Sequence, residues 1–158
     1  MNKRSASNRL SWFTSVLAAV ALLSLPALAS LGGDVSSVEA DGVHMKASAN
    51  VAQTGGYQVH EMKVPTGTVV KEYVSPAGRV FAVSWHGPFI PDMQQILGAY
   101  FQQFSAALQA QPHQYGRHPL NLQEPGFVVQ TGGHMRAYTG RAYVPEMLPQ
   151  GVHADEIK

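Results

Sequence analysis

The chain has no cysteine. That absence excludes a disulfide scaffold, a thiolate metal site, a cysteine nucleophile and a lipid anchor on a cysteine. Charge is scarce too. Asp, Glu, Lys and Arg make up 13% of 158 residues, about half the usual quarter, which argues against an acidic or basic tail. With 11 Lys+Arg against 10 Asp+Glu the formal net charge is +1, so there is no electrostatic footprint for nucleic acid. The length suits one domain and is too short for two full cores.

What is present begins with an export signal over residues 1–29. Lys3, Arg4 and Arg9 give it a positive start, and residues 12–25 are apolar and uncharged. Pro26 breaks the helix before Ala27-Leu28-Ala29, a small-x-small cleavage box. The charges stay cytoplasmic while the apolar helix enters the translocon. No Arg-Arg pair occurs, which argues against a twin-arginine route. An uncleaved anchor is the alternative, since residues 10–31 are uncharged and long enough to span a bilayer. Pro26 and the alanine box favour cleavage. A cut after Ala29 leaves 129 of the 158 residues, and losing Lys3, Arg4 and Arg9 from 11 Lys+Arg leaves 8 against 10 Asp+Glu, a balance of −2. Such a domain suits neither DNA, RNA nor anionic headgroups. The expected location is the periplasm or the medium, with no nucleic-acid partner and no membrane contact after cleavage.

Residues 30–56 are small and polar with little periodicity, apart from a short strand expected at 43–46. An α+β domain is expected over residues 57–145. Strands at 57–64 and 68–74 flank the turn Pro65-Thr66-Gly67, and Ser75-Pro76-Ala77-Gly78 fits a type I turn. The third strand, 79–85, alternates Phe81, Val83 and Trp85 on one face with Val80, Ala82 and Ser84 on the other. Pro91-Asp92 opens a helix. Its apolar stripe is Met93, Ile96, Leu97, Tyr100, Phe101, Phe104 and Leu108, with glutamines on the wet side and Pro112 at its end. Each large side chain that the stripe buries contributes roughly 2 kcal/mol. Residues 111–126 form an aperiodic connection. A second hairpin is expected at 127–130 and 134–138 about Thr131-Gly132-Gly133, and residues 141–144 extend it. Residues 146–158 read as a polar tail. Gln-Thr-Gly-Gly occurs at both Gln53 and Gln130 and reads as reused turn chemistry. The fold class is α+β: an antiparallel β-meander, one long amphipathic helix packed on the sheet, and a C-terminal β-hairpin.

Seven histidines stand at 44, 60, 86, 113, 118, 134 and 153. No two are spaced as a zinc site needs. His60-Glu61 opens like a zinc-protease helix, but Val64 occupies the second histidine position, and the segment is a strand. There is no Gly-x-Ser-x-Gly elbow and no Ser-x-x-Lys after residue 29. The glycine pairs lack the strand–loop–helix phosphate pattern. No metal, cofactor or catalytic residue is therefore expected. The densest block, residues 85–92, concentrates Trp85, His86 and Phe89 in one loop. It reads either as a recognition surface or as a proline-fixed connector. A second candidate surface is the hairpin with His134, Arg136 and Arg141, whose two guanidiniums would suit an anion if they pointed the same way.

The run Gly67-Thr68-Val69-Val70-Lys71-Glu72-Tyr73-Val74-Ser75-Pro76-Ala77-Gly78, then Val80-Phe81-Ala82-Val83-Ser84-Trp85 and Gly87-Pro88, resembles a secreted proteobacterial family. So do Pro91-Asp92, Leu97-Gly98-x-Tyr100-Phe101, Gly132-Gly133-His134-Met135-Arg136-Ala137 and Gly140-Arg141-Ala142. That family is catalogued as domain of unknown function 2844. The resemblance implies export and one small domain, and transfers no activity. The reading that follows is an exported, non-enzymatic binding or assembly protein of the cell envelope, whose partner is a protein or small ligand there. An orphan periplasmic enzyme and a signal-anchored envelope protein are the alternatives. Intact-mass measurement of the exported protein is expected to show a chain starting at Ser30. A mass that retains residues 1–29 would refute cleavage.

Overall fold

The computed structural model describes residues 31–111 and 119–158. Residues 1–29, where an export signal is expected, and Pro112, His113 and His118 lie outside the described residues. Seven strands form one antiparallel sheet: β1 Ser48–Thr54, β2 Tyr57–Lys63, β3 Val69–Val74, β4 Val80–Gly87, β5 Leu120–Glu124, β6 Phe127–His134 and β7 Ala137–Tyr143. Their order is β1-β2-β3-β4-β7-β6-β5. The expected α+β class, meander, helix and C-terminal hairpin are all present. The helical stripe forms α2 Met93–Leu97 and α3 Phe101–Ala110, joined by a 3-10 turn at Gly98–Tyr100. Asp92 caps α2, accepting the N–H groups of Gln94 and Gln95 at 2.9 and 3.2 Å. Ile96, Leu97 and Phe104 are buried, as the stripe requires.

Residues 30–56, aperiodic in sequence, contain α1 Val35–His44 as well as β1. Asp34 caps α1, its side chain accepting the Ser36 N–H at 3.0 Å. Val43 lies in the last turn of this helix, not in a strand. The helix is hard to read because it buries Ser37 and Asp41 beside Val38, so it has no continuous apolar stripe. β5 likewise emerges from the connection at 111–126.

Two further expectations are corrected. Val74 pairs with Val80, while Tyr73 pairs with Ala82, so Phe81 is an extra residue in a β-bulge. The bulge breaks the alternation expected for this strand. Phe81 packs with Ala82, whereas Val80, Val83 and Trp85 join the core on the helix side. The second hairpin turns at Met135-Arg136, because β6 continues through residues 131–133 and His134 pairs with Ala137. Arg136 takes the left-handed position with φ 64°, where a sequence reading looks for glycine. The earlier copy of Gln-Thr-Gly-Gly does turn: Gly55 and Gly56, at φ 52° and 97°, join β1 to β2.

The sheet is covered on both faces. α1, α2 and α3 pack on one, over Val70, Val83, Trp85, Phe127 and Val129. The C-terminal segment packs on the other, where Ile157 closes over Tyr57, Tyr73, Phe81 and Ala82. The Tyr73 hydroxyl donates to the Lys158 carbonyl at 2.7 Å and accepts the Lys158 N–H at 2.9 Å. Arg141 donates to the carbonyls of Ala154 and Ile157. Residues 146–158 are thus a second cover for the sheet. Ile157→Ala is expected to cost about 2 kcal/mol, read as a lower urea midpoint with an unchanged slope.

Candidate functional site

Antiparallel pairing of β4 with β7 sets Trp85 opposite Gly140 and His86 opposite Thr139. The two candidate surfaces, distant in sequence, therefore meet at one end of the sheet. Trp85 is buried on the helix side. A Cβ on Gly140 would lie 2.3 Å from Trp85 Cζ2, so the missing side chain is what lets the indole lie against β7.

The loop after β4 is a fixed connector that also presents apolar side chains. The buried Thr68 hydroxyl donates to the Phe89 carbonyl at 2.8 Å and accepts the Phe89 N–H at 3.4 Å. A Cβ on Gly87 would come within 2.5 Å of Thr68 Cα, so this approach needs glycine. Phe89 and Ile90 nonetheless remain 57% and 58% exposed. Met135, at the tip of the neighbouring hairpin, is 72% exposed.

Two clefts flank this end of the sheet and share a wall of Trp85, Thr131, Gly132 and Thr139. The helix-side cleft, about 260 Å³, is lined otherwise by Ile90, Met93, Phe104, Leu108, Leu120 and Tyr138. Its lining contains no carboxylate or imidazole. The tail-side cleft, about 470 Å³, adds His86, Gln130, Gly140, Arg141, Ile157 and Lys158. Although larger, it offers a weaker anion site than its residue types suggest. Arg141 already bonds Gln130 Oε1 at 2.7 Å and two carbonyls of the C-terminal segment. Phe89, His134 and Arg136 line neither cleft. His134 sits at the end of β6 with Nδ1 3.2 Å from the Met135 carbonyl, and Arg136 occupies the turn.

A third grouping escaped the sequence reading. Asp41 of α1 and Glu72 of β3 are 1% and 0% exposed. Gln95 of α2 donates to Asp41 Oδ1 at 2.9 Å. Burial, and next the facing Asp41 carboxyl, push Glu72 up to about 8. The strand pattern held a signal for it: Glu72 lies between Val70 and Val74, on the face that α1 covers. Among the described residues no three His, Asp or Glu side chains gather as a metal site. Nor is any helix among them long and apolar enough to cross a membrane.

The family model for Protein of unknown function (DUF2844) matches residues 27–157, and the chain belongs to that family. No curated protein and no solved structure matches the chain.

Gly140→Ala is expected to push Trp85 off β7, costing roughly 1–3 kcal/mol and shifting tryptophan emission to longer wavelength. Gly132→Ala meets nothing within 4 Å and should leave both stability and emission within error of wild type.

Proposed function

We propose that this family member is an exported protein of the cell envelope, periplasmic or extracellular, that binds an apolar group without catalysing a reaction. One observation carries the reading. The helix-side cleft has Trp85 and Phe104 in its walls, and Ile90 and Leu108 at its margin are 58% and 39% exposed. Exposed apolar side chains gathered at a concave site mark binding surfaces. Phe89 and Met135 are also exposed at the same end of the sheet. A volume of about 260 Å³ falls just below the range of drug-sized sites, about 300–1,000 Å³. It suits one apolar side chain of a protein partner or a short-chain ligand.

Non-enzymatic binding is favoured because the cleft offers hydroxyls but no general acid or base of ordinary pKa near neutrality. The orphan-enzyme alternative would have to use the tail-side cleft, where His86 is the only imidazole and Arg141 is engaged by the protein's own main chain. The export signal supports the envelope location, and the family match carries no activity that would point elsewhere.

The chain has two tryptophans, Trp12 and Trp85, so removal of residues 1–29 leaves Trp85 as the sole tryptophan, read by excitation at wavelengths that spare tyrosine. Titrating the processed protein with octanoate is expected to give a saturable change in Trp85 emission. Replacing both Ile90 and Leu108 by Ser should weaken binding at least tenfold, since each buried aliphatic group is worth about 1–2 kcal/mol. A linear, non-saturating response, or equal binding by the double variant, would overturn the reading.

A further inference from the structure

Glu72 lies in the middle of β3, between His60 of β2 and Val83 of β4 in the strand pairings. From α1 it meets Asp41, and from α2 Gln95 reaches that same carboxyl. Neither Glu72 oxygen has a hydrogen-bond donor group in reach. Glu39 of α1 acts on His60; no cation is among the groups acting on Glu72. Two carboxyls in contact away from water cannot both be ionised, whereas one proton between them turns repulsion into a hydrogen bond.

We infer that Asp41 and Glu72 share one proton, and that this carboxyl pair latches α1 to the sheet so that losing the proton releases the helix. α1 is built to move alone. Before it, Gly32, Gly33 and Val35 exchange main-chain hydrogen bonds with Val80 and Gly78. After it, β1 pairs with β2 along its whole length. Between these two tethers the helix fully buries Ser37, Val38 and Asp41 and packs Val35 partly against the core, so a small apolar area opposes its opening.

The direction of the pH effect follows from which state holds the proton. Glu72 is raised from 4.5 to about 8 in the folded chain. Between those values the folded protein keeps a proton that the unfolded chain has lost, so stability falls as pH rises, roughly tenfold in the equilibrium constant per pH unit. The latch is complete below 4.5 and gone above about 8. His60, paired opposite Glu72 on β2, acts with the opposite sign. Burial lowers its pKa, so its contribution grows with rising pH and cannot mimic the effect.

The test is hydrogen exchange of α1 amides, corrected for intrinsic rates, together with urea midpoints at pH 5, 7 and 9. Wild-type protein is expected to lose α1 protection tenfold or more between pH 5 and 9, while β3 and β4 stay protected. Glu72→Gln keeps the shape, donates its amide to Asp41, and should hold α1 protected at pH 9 with a nearly flat midpoint. Equal protection at pH 5 and 9 in wild type, or an unchanged slope in Glu72→Gln, overturns the inference. Should that variant fail to fold, infrared spectroscopy of wild type decides. A buried protonated-carboxyl band at pH 6 that disappears by pH 9 supports the latch, and its absence at pH 6 refutes it.

Discussion

A sheet that is apolar on both faces has to be covered twice, and most of this architecture answers that demand. β3 and β4 send Val70, Val83 and Trp85 to one side and Tyr73, Phe81 and Ala82 to the other. The helices shelter the first set. The second set would meet water but for the C-terminal segment, and the segment stays because Tyr73 and Arg141 hold its main chain. The Phe81 bulge belongs to the same solution. By placing Phe81 next to Ala82 on one face, it thickens the tail-side core where a regular strand would have alternated. With no cysteine available, this double packing replaces the covalent staples that an oxidising compartment would permit.

The clefts lie where both covers stop. At the far end of β4, β6 and β7 the sheet is nearly bare, with Gly132, Gly133 and Gly140 in neighbouring strands. Trp85 partly fills the gap, and what it leaves open becomes two hollows with one wall between them. The helix-side hollow touches the acid pair through α2, since Met93 lines the hollow and Gln95, two residues on, bonds Asp41. Helix α2 therefore contacts both the apolar surface and the buried carboxyls, as does β4 through Trp85 and Val83.

The sequence was legible where hydrophobic periodicity and turn chemistry agreed. β2, β3, β4 and the stripe from Met93 to Leu108 satisfy that condition. α1 did not, because Ser37 and Asp41 occupy buried positions that a search for apolar spacing passes over. β1 is exposed at every residue, so burial left no alternation in it. The turn at Arg136 hid behind two glycines that serve close strand packing. In sequence, Trp85, His86 and Phe89 form one candidate surface and His134, Arg136 and Arg141 another. Only the pairing of β4 with β7, a long-range fact, brings them to one end. Glu72 was visible as an acidic residue between two valines. Its meaning needed the helix above it.

Leu31 is 1% exposed, and its N–H bonds the Ile96 carbonyl at 3.1 Å. Core packing thus reaches to within two residues of the proposed cut after Ala29. A leader protease needs a flexible, accessible strand of substrate, which a chain with Leu31 already docked against α2 cannot offer. Under the proposed export route, removal of the leader would come before the last step of folding, in which Leu31 docks against α2.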